Sequence, residues 1–105
     1  MQPTFTFRNI ESTDGLKTHT KEKLDRLQKY SFKPESAHIV LRVEHLDHFA
    51  EITFVDHGEH FVSHANSPDM YASIDLAFHR LEAQLRRKKE RQTHHKGHTA
   101  TSSTV

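Results

Sequence analysis

Cysteine is absent from this 105-residue chain, which excludes disulfides and thiolate metal sites. Glycine is scarce: the three residues are too few and too scattered to form a phosphate-cradling loop. No apolar segment approaches the ~20 residues that span a bilayer. Met1-Gln2-Pro3-Thr4 lacks the basic region and apolar run of a signal peptide. A soluble, cytoplasmic protein with no membrane partner is therefore expected. Apolar residues make up only 33% of the chain, against a typical ~45–50% on a basis that includes glycine. One domain with a thin, two-layer core follows.

The patterns of catalysis are missing as well. There is no Gly-x-Ser-x-Gly, no cysteine nucleophile and no His-Glu-x-x-His helix. Asp69 and Asp75 are six apart on a helical stretch and do not face one cleft. Eleven histidines invite a metal reading, with His57, His60 and His64 close in sequence. On a strand, however, residues four apart are separated by ~13 Å, too far to share one ion. The expectation is a non-enzyme with no cofactor, no metal and no small-molecule substrate.

Charge is present but segregated. The net charge is +1, and residues 43–79 contain no Lys or Arg and seven carboxylates. The segments on either side carry +3 (residues 1–42) and +5 (residues 80–105). Basic charge gathered on one side suits a polyanion, and an acidic side limits indiscriminate sticking.

Periodicity supplies the elements. Thr4-Phe5-Thr6-Phe7 alternates as a short strand, and Thr13 is a good N-cap for a helix from Asp14 to Tyr30 with Leu16, Thr20, Leu24 and Leu27 inward. Alternation over Ala37–Glu44, Ala50–Phe54 and Phe61–Asn66 predicts three more strands, with turns at Leu46-Asp47-His48 and Asp56-His57-Gly58-Glu59. A second helix is expected from Ser67 as cap, Pro68 as first residue and Asp69 near the positive dipole end, running to Arg91. Met70, Ile74, Phe78, Leu81 and Leu85 form its inward stripe. The order is β-α-β-β-β-α, an α+β fold with a four-stranded sheet and both helices on one face. Residues 93–105, rich in Thr, Ser and His, cannot bury enough apolar surface to order themselves and are expected to form a disordered tail.

Each helix carries a second stripe beside its inward one. On the second helix it is Arg80, Gln84, Arg87 and Arg91; on the first, His19, Lys23, Arg26 and Tyr30, on the same angular flank. The arginines can engage phosphate through a forked, two-bond geometry that lysine cannot make. Glu44, Glu51 and Glu59 are expected to face away from such a ligand. The competing reading is that basic stripes meet an acidic protein partner such as a transcription factor.

The stretch Asp69-Met70-Tyr71-Ala72-Ser73-Ile74-Asp75, followed by Arg80-Leu81 and Gln84-Leu85-Arg86-Arg87, closely resembles the signature of the ribosome hibernation-promoting factor family. That family includes the ribosome-associated inhibitor A proteins and was once labelled sigma-factor modulation proteins. Arg8-Asn9-Ile10-Glu11, Thr13, Leu16-Lys17, Lys23-Leu24 and Leu27 are similar to its N-terminal pattern, and the resemblance covers residues 1–92. It implies a fold similar to a double-stranded-RNA-binding domain. It also implies binding of the small ribosomal subunit and its rRNA in the channel where messenger and transfer RNA meet. Occupying that channel blocks translation and preserves idle ribosomes under stress or in stationary phase. The contacts it implies are Lys17, Lys23, Arg26, Arg80, Arg86 and Arg87, extended by Lys88, Lys89 and Arg91. Ala83 stands where the family often has a basic residue. No second domain of the kind found in long members follows residue 92, so the resemblance is to the short form, monomeric when free.

Overall fold

The alternating runs assemble into one four-stranded sheet in the computed structural model, which describes the backbone of residues 1–101 and the side chains of residues 1–91. In chain order the elements are β1 (Thr4–Arg8), α1 (Asp14–Leu27), a 3-10 turn (Gln28–Tyr30), β2 (Pro34–Glu44), β3 (Asp47–Asp56), β4 (Glu59–Ser67) and α2 (Met70–Thr101). The sheet order is β1-β2-β3-β4, with β1 parallel to β2 and the other pairs antiparallel. A parallel pair needs a crossover, and α1 supplies it. The second helix, expected to end at Arg91, continues along the backbone to Thr101, through residues 93–101 of the stretch expected to be a disordered tail; residues 102–105 of that stretch lie outside those described.

Both helices bury one stripe against the same face of the sheet. Ile39, Leu41, Ala50 and Phe54 come from the sheet, Leu24 and Leu27 from α1, and Ile74, Leu81 and Leu85 from α2, all at most 2% exposed. Each such large apolar side chain contributes about 1.5–3 kcal/mol by leaving water. Among the described side chains, Leu85 is the last buried one of α2. Past it the inward stripe ends, so the basic turns that follow have no core to fill.

Local signals account for most boundaries. The Leu16 N–H donates to Thr13 Oγ1 at 3.1 Å, capping α1 as its sequence predicts. The last expected turn of α1 tightens into the 3-10 form, a common ending. The second helix starts later than expected. Ser67 is held in the β4 ladder opposite His48, so it cannot serve as the cap. Asp69 does so instead, its carboxylate accepting from the Ala72 N–H at 2.9 Å. The strands also run longer than alternation alone predicts, and β2 opens at Pro34, where a missing N–H is tolerated. The β2–β3 reversal is tighter than expected and centres on His45-Leu46, while His57 and Gly58, both at positive φ, close the β3–β4 hairpin.

The helices lie side by side and run parallel. Contacts between them ascend together: Gly15 meets Tyr71, His19 meets Asp75, Tyr30 meets Arg86 and Lys29 meets Lys89. A Cβ at position 15 would stand 2.6 Å from the Tyr71 hydroxyl, so glycine permits the close approach at the start of this pairing.

Candidate nucleic-acid interface

Parallel packing separates the two basic stripes. On two parallel helices docked on one surface, the same angular flank cannot face inward on both. The α1 stripe turns toward α2. The α2 stripe turns the other way, toward the rim of β4. They are not brought together; α2 stands between them.

On the α1 side, one carboxylate collects two residues. Asp75 Oδ1 lies 2.6 Å from His19 Nε2 and 3.4 Å from Lys23 Nζ. Arg26 lines the groove between the helices with Asp75, His79 and Glu82. Further along, Arg86 lies 3.7 Å from Glu82 and its guanidinium sits over the Tyr30 ring, 5.9 Å from the centroid. Lys89 Nζ donates to the Lys29 carbonyl at 3.4 Å and lies 5.8 Å from the Phe32 ring centre. Lys17 is half-buried on the opposite flank of α1.

On the β4 side, the cations serve the sheet. Arg80 donates to the His64 carbonyl at 2.8 Å and Gln84 to the Val62 carbonyl at 2.9 Å, both on the rim that has no neighbouring strand. Lys88 is ion-paired with Glu59 and sits 5.5 Å from the Phe61 ring centre. The Glu59 side chain is therefore beside the basic stripe rather than turned away from it, because the β3–β4 turn brings the start of β4 under the turn of α2 that carries Lys88. Glu51 and Glu44 pair with Arg42 on the open face of the sheet. The segregation of charge along the chain is thus partly cancelled in space. Among the described residues, Arg26, Arg87 and Arg91 are exposed and make no ion pair.

Two features at the far end of α1 carry no motif. Asp56, expected in a turn, is 1% exposed. Its carboxylate accepts from the Phe32 N–H (3.0 Å to each oxygen) and the Lys33 N–H (2.6 Å). Phe32 itself projects from this pinned loop and is 49% exposed. The one sequence signal for the pair is an apolar residue placed in a loop, which periodicity ignores.

A β-α-β-β-β-α domain whose long second helix carries unburied cations past the core is the class defined by this geometry. The pattern of the family described as "Sigma 54 modulation protein / S30EA ribosomal protein" matches residues 4–93. The chain belongs to that family. It is 34% identical over 92 residues to the ribosome hibernation promoting factor of Azotobacter vinelandii, covering 88% of this chain and 86% of that protein. It is 30% identical over 95 residues to the same-named protein of Escherichia coli (strain K12), covering 90% of this chain and all of that one. Among solved structures it is similar to the Thermus thermophilus Protein Y N-terminal domain, with a TM-score of 0.75, 32% identity, and coverage of 83% of this chain and 98% of that one. A ribosomal subunit interface protein from Coxiella burnetii gives a TM-score of 0.76 at 26% identity, covering 85% and 98%.

Proposed function

We propose that this chain is a ribosome hibernation factor of the cytoplasm. It binds the small ribosomal subunit in the mRNA/tRNA channel near the decoding site, blocks translation and preserves idle ribosomes. Residues 1–92 carry the binding, with 93–105 as an appended polar tail. The observation that carries this reading is the run of cations over the turns of α2 beyond Leu85, of which Arg87 and Arg91 are exposed and make no ion pair among the described residues. Arg87 and Arg91 point to solvent, flanked by Arg86 and Lys89 on one side and by Arg80 and Lys88 on the other. Such an arm offers phosphate contacts on several sides at once, which suits insertion between RNA segments better than docking on a flat surface. The names of the relatives support the ribosome as partner.

Binding to purified small subunits across a salt series tests this. Arg87→Ala is expected to weaken binding at moderate salt and to reduce the magnitude of the log–log salt slope by about 0.7–0.9, the counterions released by one phosphate contact. Arg87→Lys recovers part of the affinity, because charge remains while the fork is lost. Glu51→Gln changes little. If Arg87→Ala binds like the parent at every salt concentration while Glu51→Gln abolishes binding, the RNA-facing surface is the open sheet and not α2.

A further inference from the structure

Of the seven phenylalanines, Phe32 alone is exposed, and its setting is built rather than incidental. The loop that carries it is held by a buried carboxylate, Asp56, which accepts from the Phe32 N–H and from that of Lys33. The Lys33 carbonyl in turn accepts from the His57 N–H at 2.9 Å, and Glu35 accepts from the Gly58 N–H at 3.1 Å. The backbone under the ring is thus fixed at several points. Cations surround it: Lys33 follows directly, Lys89 lies near the ring, and Arg86 covers the adjacent Tyr30.

We infer that Phe32 is a stacking platform for an unpaired RNA base, with Lys33, Lys89 and Arg86 engaging the flanking phosphates. This rests on the proposed function, in that RNA is the ligand; it adds a contact to base rather than to backbone. Every base has a π-face, and an aromatic ring beside cations matches the two chemistries of a nucleotide. The rings of a duplex are covered by their neighbours, so the base is one splayed from a loop, bulge or single strand. A pre-fixed backbone loses little freedom on binding, and the carboxylate beneath it removes that freedom in advance. An acidic peptide would use the cations and leave the flat ring without a counterpart.

The test titrates full-length parent, Phe32→Ala, Phe32→Leu and Phe32→Trp against purified small subunits over a salt series. Phe32→Ala and Phe32→Leu are expected to weaken binding by about tenfold or more at every salt concentration. The salt slope stays at the parent value, because a stack releases no counterions. Phe32→Trp keeps the affinity. The parent has no tryptophan, so the fluorescence of this variant reports on one position, and both small subunits and single-stranded poly(U) are expected to quench it. Parent-like binding by Phe32→Ala and Phe32→Leu overturns the inference. So does a blue-shifted, unquenched emission on subunit binding, which would place the ring against protein. Should Phe32→Ala misfold, the leucine and tryptophan variants decide the matter alone. A parent that fails to bind subunits at low salt overturns the proposed function itself. A parent whose binding depends on Arg87 but not on Phe32 overturns this inference only.

Discussion

Replacing Asp56 is the sharpest test of how the far end of the domain is held. The residue is 1% exposed, and its carboxylate serves two backbone N–H groups that have no other acceptor among the described residues. Asp56→Ala strands both donors. A buried donor left without a partner costs about 1–3 kcal/mol, and bonds to a charged acceptor lie at the upper end. The loop is at the surface, so water reaches part of what is lost, and about 2–4 kcal/mol is expected in total. Domains of this size have roughly 5–14 kcal/mol of stability, so the loss is a large share. Asp56→Asn keeps one oxygen, and Oδ1 alone lies within reach of both donors, so about half the loss or less is expected. Urea denaturation followed by circular dichroism gives the comparison, with the midpoint falling and the m-value constant. An Asp56→Ala variant within 0.5 kcal/mol of the parent would refute the reasoning, since at most one of the two bonds could then contribute.

The remaining predictions address packing and the domain end. Phe78 is 4% exposed on the inward stripe of α2, so Phe78→Ala should cost ~3–5 kcal/mol through the cavity it leaves, and ribosome binding should fall with folding. A parent-like melting temperature would contradict the register of α2. Deleting Thr93–Val105 should leave the melting temperature nearly unchanged, because that stretch has almost no apolar residues with which to pack; a drop of many degrees would show that the folded unit extends beyond residue 92.

Most of the fold was legible because burial here follows two simple periods. Ala37, Ile39 and Leu41 alternate inward, and Leu16, Thr20, Leu24 and Leu27 line one helical face, as counting along the sequence requires. The start of α2 was harder, because Ser67 is both a good cap and a good strand end, and the ladder to His48 wins. Asp56 opens the β3–β4 turn as its Asp-X-Gly signal predicts, but its second role was hidden, because nothing local shows that the carboxylate reaches back to residues 32 and 33. The layout of the candidate interface was half legible. Helical angles identify which residues share a flank of one helix, but the direction that flank faces depends on which neighbour lies beside it. That is a property of the sheet order and the parallel helix pair, not of either helix.

Arg80 and Gln84 occupy outward carbonyls of β4. A sheet rim with free carbonyls and amides is a template on which another chain can polymerise. Here a helix from the same chain lays polar side chains along that rim, and the opposite rim is the five-residue β1. Lateral growth therefore has little to extend from. Concentrated solutions of the protein are expected to stay dispersed rather than thicken by strand-to-strand addition.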